Sequence, residues 1–148
     1  MTFDLKYFFI SNFFFYFRRL IFFMTENEIS YLIRGCIYKV YNTYGPGLLE
    51  SVYQAALAIE LGKGGLKVKT EVAIPVFYEG QELGVGFRID ILVNDKVIIE
   101  LKSVEELSKL HHKQILTYLK LTNLKLGLLV NFNSDDIEKA IFRKVNGL

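Results

Sequence analysis

An α/β fold, with a central mixed sheet and helices packed on it, is the class this sequence predicts. Three observations predict it. Residues 83–93 are apolar at every odd position, the period of a half-buried strand. Ile29, Leu32, Ile33, Cys36, Ile37 and Val40 recur at the spacing of one helix face. Residues 125–131 are almost continuously apolar, as in a strand covered on both sides and pairing parallel to a neighbour. Read through, the elements come in the order αα-βββ-α-β.

The length of 148 residues suits one domain, and an apolar fraction of 51% is ample for its core. The single cysteine, Cys36, rules out an internal disulfide framework and fits a reducing, cytoplasmic setting. Its place on an apolar helix stripe marks it as a packing residue. The first 23 residues stand apart, with nine of the thirteen phenylalanines. Charged residues confine their uncharged run to residues 7–17, too short to span a bilayer. No signal-peptide order is present. The reading is an aromatic-rich N-terminal extension over 1–23, with Met24 as the expected start of a domain over 24–148. A peripheral membrane anchor is the competing reading of that extension. The extension carries a net charge of +2, and so does the whole chain, so residues 24–148 are neutral. Any contact with nucleic acid must then come from a local patch.

Thr25 and Glu28 form the sequence signature of a capping box and open the first helix, expected to reach about Tyr41. Gly45, Pro46 and Gly47 stop it. A second helix is expected over roughly 48–61, with Glu50 and Tyr53 on one face. Glu50 has two readings there: an acid favoured by the helix dipole, or a site residue. Residues 68–78 read as a strand in which Pro75 demands an edge or a bulge. Residues 79–81 turn it into the 83–93 strand. Gly84 and Gly86 there mark either a bulge or a close approach. Residues 97–102 make the third strand and residues 108–121 the third helix. That helix carries His111, Gln114 and Tyr118 on one stripe, Lys113 and Lys120 outside, and Ile115, Leu116 and Leu119 towards the core. Residues 137–145 form a terminal element whose type the pattern leaves open.

Chemistry concentrates on the second and third strands. Asp90 shares a face with Arg88, and Glu100 shares one with Lys102. A three-residue loop over 94–96 sets Asp90 opposite Glu100, whereas a two-residue loop sends Glu100 to the far face. Two carboxylates on one face make a site for a hard divalent cation such as Mg²⁺, with the Leu101 carbonyl as a further oxygen. Lys102 on that face can orient a water or hold a phosphate oxygen. The bland alternative is a surface hairpin with a cross-strand ion pair of little energetic value.

Asp90 followed by Glu100-x-Lys102, after a helix bearing Glu50, resembles the PD-(D/E)XK nuclease superfamily. Gln114-x-x-x-Tyr118 resembles the motif of its recombination-exonuclease branch. More narrowly, Gly47-x-x-Glu50-x-x-Tyr53 is similar to the signature of the GxxExxY proteins, as are Arg88-x-Asp90, His111-x-x-Gln114 and Gly127 to Phe132. Ile89 stands where the superfamily name has proline. The resemblance implies a restriction-endonuclease-like core and Mg²⁺-dependent (or Mn²⁺-dependent) hydrolysis of nucleic acid, DNA before RNA. It implies that Asp90 and Glu100 bind metal, that Lys102 acts on the attacking water and that Glu50 assists. Arg88, His111, Gln114 and Tyr118 then position substrate or the lysine. The competing expectation is a non-catalytic module on the same fold that binds nucleic acid or protein. Neutral charge over 24–148 favours the module, while the intact Asp, Glu and Lys favour the hydrolase.

Overall fold

The computed structural model describes residues 23–148, so the 1–23 extension, Phe23 apart, lies outside the described residues. Helix α1 (Glu26–Tyr44) begins with the capping box: the Thr25 hydroxyl accepts from the Glu28 N–H at 3.3 Å, and the Thr25 N–H donates to Glu28 Oε2 at 2.7 Å. It runs three residues past the expected end and stops at Gly45, whose φ of 65° with ψ of −167° only glycine adopts without strain. Helix α2 (Glu50–Lys63) follows. Strands β1 (Val68–Tyr78), β2 (Gln81–Val93) and β3 (Val97–Lys102) form an antiparallel meander. Helix α3 (Lys109–Thr122) crosses over to β4 (Leu126–Asn131), which pairs parallel to β3 as its unbroken apolar run predicts. The terminal element resolves into a 3₁₀ turn (Ile137–Ala140) and β5 (Ile141–Val145), antiparallel to β4.

The sheet order is β1-β2-β3-β4-β5, and each face builds its own core. One joins α1 and α2 to Ile91, Val97, Ile99, Leu101, Leu128 and Val130. The other joins α3, through Ile115, Tyr118 and Leu119, to Ile74, Ile89, Leu92, Ile98 and Leu129. Burial on both faces is why β3 and β4 are apolar at nearly every position. Cys36 packs against the first core, as its stripe predicts. No helix among the described residues is long and apolar enough to cross a membrane.

Two irregularities in β2 correct the strict period-2 reading. In its outer part Leu83, Val85 and Phe87 alternate as predicted, yet they are 48, 71 and 40% exposed. There the β1–β2 hairpin projects as an arm, and Gly84 (φ 68°) lies in a register shift that begins after Pro75. Gly86 is the close approach: a Cβ there would run into the Ile74 carbonyl. The second irregularity is at Asp90. Ile89 belongs to the core under α3 and Ile91 to the core under α1 and α2, so the strand's facing switches between them. Opposite Asp90, the pairing passes from Thr70 to Val72 and skips Glu71, whose φ is 54°. A glutamate in the left-handed region costs roughly 1–3 kcal/mol.

Candidate active site

The β2–β3 loop is three residues long. Ile91 faces Ile99, Leu92 faces Ile98 and Val93 faces Val97, the register that brings Asp90 towards Glu100. Asn94 and Asp95 take positive φ angles of 52° and 55°, as the tight turn requires, and the Lys96 N–H donates to the Val93 carbonyl at 3.0 Å. Beyond Ile91 the two strands separate. Asp90 Oδ2 fills the gap, accepting from the Leu101 N–H at 2.7 Å. A strand residue's N–H and C=O leave on the same side, so the Leu101 carbonyl also points towards β2.

Glu50 reaches this place through the Gly45-Pro46-Gly47 loop. Gly47 has φ 102°, which lets the chain turn sharply from α1 into α2. Tyr53 fixes the turn. Its buried hydroxyl donates to the Gly45 carbonyl at 2.6 Å and accepts from the Leu48 N–H at 3.1 Å. Its ring stacks on Phe132 with centroids 4.4 Å apart. Glu50 therefore opens α2 from a rigid support, and its Oε1 lies 3.8 Å from Lys102 Nζ.

The centre of the site is Glu100, 2% exposed in β3. Its Oε1 meets Lys102 Nζ at 2.9 Å, while its Oε2 is buried without a hydrogen-bond partner. Burial, reinforced by the Asp90 charge, pushes the Glu100 carboxyl up to about 7 despite Lys102. Burial also raises Asp90, with Glu50 and Glu71 adding to it and the Leu101 N–H and Lys102 opposing. Burial works against the Lys102 ammonium, but its bond to Glu100 and the surrounding carboxylates outweigh this and raise its pKa. Tyr118, raised by burial and by Glu100, stays a neutral phenol, and the Gln114 amide donates to its oxygen at 2.5 Å.

A cavity of ≈ 630 Å³ opens over these groups. Its lining includes Glu50, Arg88, Asp90, Glu100, Gln114 and Tyr118, so six of the eight residues singled out in the sequence meet on one wall. Lys102 stands behind it, bonded to Glu100. His111 is placed elsewhere: its Nδ1 accepts from the Ser108 N–H at 3.2 Å and closes a capping box on α3. Leu49, Ser51, Gln54, Glu71, Gly86 and Phe87 complete the wall. Glu71 Oε2 takes Arg88 Nε at 2.7 Å, and its Oε1 accepts from Gln54 Nε2 at 2.7 Å. Arg88 is 70% exposed, so its pair with Glu71 is worth about 0–1 kcal/mol. That return is smaller than the conformational cost of Glu71. Glu71 leaves no trace in the sequence, because Thr70, Glu71 and Val72 read as ordinary strand. Phe87, 5.4 Å from the Tyr118 ring, is concealed in the same way by regular alternation.

Among the described residues no three His, Cys, Asp or Glu side chains form a preassembled metal cluster. The donor set present is two carboxylates and a main-chain carbonyl, all hard oxygens suited to Mg²⁺ or Mn²⁺. The orphaned Glu100 Oε2, near the half-buried Asp90 carboxylate, is the observation that fits a cation, because that buried oxygen has no protein partner. The sequence model of the PD-(D/E)XK nuclease superfamily matches residues 27–144, spanning nearly all of α1 through β5. No curated protein and no solved structure matches the chain. The five-stranded mixed sheet and flanking helices are those of a restriction-endonuclease-like core. With this architecture and a match over most of its length, the chain belongs to the PD-(D/E)XK nuclease superfamily.

Proposed function

We propose that this protein hydrolyses phosphodiester bonds of nucleic acid, DNA in the first place, with Mg²⁺ as its metal and Mn²⁺ as a substitute. The observation that carries this reading is the buried Glu100, with one oxygen on Lys102 and the other unpartnered next to Asp90. Asp90, Glu100 and the Leu101 carbonyl would hold the cation, and Glu50 would join directly or through water. When bound, the cation supplies Lewis acidity at the scissile phosphate and lowers the pKa of water. Lys102 holds its ammonium where it orients the attacking water and offsets charge building on phosphorus. Burial keeps it within reach of both Glu100 and Glu50, so it is positioned before substrate arrives. Gln114 and Tyr118 present an amide and a neutral phenol to the same cavity and position the substrate or the lysine. Arg88 supplies a guanidinium at the mouth. The Gly47, Glu50 and Tyr53 arrangement supports placement in the GxxExxY branch, with Tyr53 as the anchor that sets Glu50. A cytoplasmic location is in keeping with the lone free thiol of Cys36.

The test is cleavage of single- and double-stranded DNA and RNA with Mg²⁺ or Mn²⁺, wild type against Lys102→Ala. Wild type is expected to cut. Lys102→Ala is expected to fold, to keep its affinity for metal, and to lose about 10²–10³ in rate. Glu100→Ala should lose metal and activity together. The second reading, a binding module, is favoured by the neutral charge over 24–148. It wins if wild type cuts nothing with either metal while wild type and Lys102→Ala bind nucleic acid equally.

A further inference from the structure

We infer that Glu71 is a latch on Arg88: it holds the guanidinium at the cavity mouth in the place of a phosphate and gives it up to a backbone phosphate of the bound strand. This rests on the hydrolase reading and adds to it a residue that controls how substrate is seated. Among the described residues, Arg88 is the one cation in the cavity lining, against Glu50, Glu71, Asp90 and Glu100. Lys102, behind the wall, is already committed to Glu100 and Glu50. A strand entering this cavity therefore meets a surplus of carboxylates, and Arg88 is the group able to take its phosphate.

Glu71 meets the arginine through one contact, Arg88 Nε to Oε2 at 2.7 Å, and a single phosphate oxygen can take the place of that carboxylate oxygen. A guanidinium binds carboxylate and phosphate oxygens through the same donor fork, so one replaces the other with little rearrangement. The pair is largely exposed, so exchange does not strand a buried charge. Glu71 keeps a partner when Arg88 leaves, because Gln54 Nε2 lies 2.7 Å from its other oxygen. Gln54 Nε2 also lies 3.4 Å from the Asp90 carbonyl, which ties the latch to the backbone of the site. The backbone shape alone does not call for this residue. The position opposite Asp90 is left-handed, where Gly or Asn is at ease and Glu is not. Its carboxylate, rather than its conformation, is what needs a role, and its two partners define that role.

The experiment measures binding of labelled single- and double-stranded DNA and RNA by the full chain, with Ca²⁺ in place of Mg²⁺. Wild type, Glu71→Gly, Glu71→Asn, Arg88→Ala and the Glu71→Gly/Arg88→Ala double variant are compared, each with its Tm. Both Glu71 variants suit the left-handed backbone, so their Tm should equal or exceed that of wild type. Freed from the latch, Arg88 should tighten binding by at least about threefold. The gain should vanish in the double variant, and Arg88→Ala alone should lower the salt slope by about one. An equal gain with and without Arg88 would overturn the latch, leaving Glu71 as a repulsive charge only. No gain in either background would overturn it as well. If wild type neither binds nor, with Mg²⁺ or Mn²⁺, cleaves any of the nucleic acids, the hydrolase reading falls and takes the latch with it. A wild type that binds or cuts, with Glu71 variants unchanged, removes the latch alone.

Discussion

The two hairpins that share β2 obey the same alternation and come to opposite ends. In the β2–β3 hairpin, Ile91, Val93, Val97 and Ile99 are wholly buried, with a helix layer over each face. In the β1–β2 arm, Leu83, Val85 and Phe87 repeat the pattern and remain exposed. Period 2 reports that a strand has two unlike faces. Whether either is buried depends on what packs on it, and among Leu83, Val85 and Phe87 the α3 layer meets only Phe87, through Tyr118. Asp90 sits where the two regimes meet, so the site has a rigid floor on one side and an open arm on the other.

Four measurements test this contrast. The largest effect is expected on the rigid side, where Lys102→Ala should cost about 10²–10³ in cleavage rate without loss of fold. Next comes Ile91→Ala, which should destabilise by about 2–5 kcal/mol in urea titration. Val85→Ala, at an equivalent place in the alternation on the arm, should stay within about 0.5 kcal/mol. Equal costs for these two would erase the distinction between the hairpins.

The third effect is a pH dependence confined to the floor. Glu100 has its folded pKa raised from 4.5 to about 7, so between those values the folded protein holds the extra proton. The Glu100 contribution to metal-free stability is therefore fully present below about pH 4.5 and is lost as pH rises to about 7, by at most about 1.4 kcal/mol per unit for one proton. Asp90, also raised, acts in the same direction. Glu100→Gln should flatten the slope. Added Mg²⁺ should select the ionised carboxylates, and the rise in Tm expected from it should grow over the same interval. The smallest effect returns to the junction. Glu71→Gly should raise stability by about 1 kcal/mol by relieving its backbone, and a clear loss would mean that its side-chain bonds matter more than its conformation.

The elements were legible because each carries a local signal. Thr25 and Glu28 announce α1, Pro75 announces the irregular edge, and the apolar run of β4 announces a strand covered on both faces. The register of the second hairpin followed from loop length alone, which brings Asp90 towards Glu100. Glu50 was visible as a residue but its position was not, since that depends on Tyr53 binding Gly45 and stacking on Phe132 across the fold. His111 lay on the stripe with Gln114 and Tyr118, yet it occupies the third position of its helix, where a free main-chain N–H of Ser108 claims the ring. Glu71 was hidden because nothing in Thr70, Glu71 and Val72 departs from a strand pattern. Its conformation is imposed by the facing switch at Asp90, a property of two strands together.

The kink at Glu71 also bears on how the molecule meets its own copies. Strand β1 is an outer edge of the sheet and, at eleven residues, long enough to template another chain. Its regular pairing is broken into 68–70, 72–75 and 77–78 by Glu71 and by the shift after Pro75. Pro75 has no N–H to offer an incoming strand. Each remaining segment is shorter than the six or seven residues of a cross-β zipper. The distortion that turns Asp90 inward thus also deprives the exposed edge of a straight ladder on which copies of the protein would stack into fibrils.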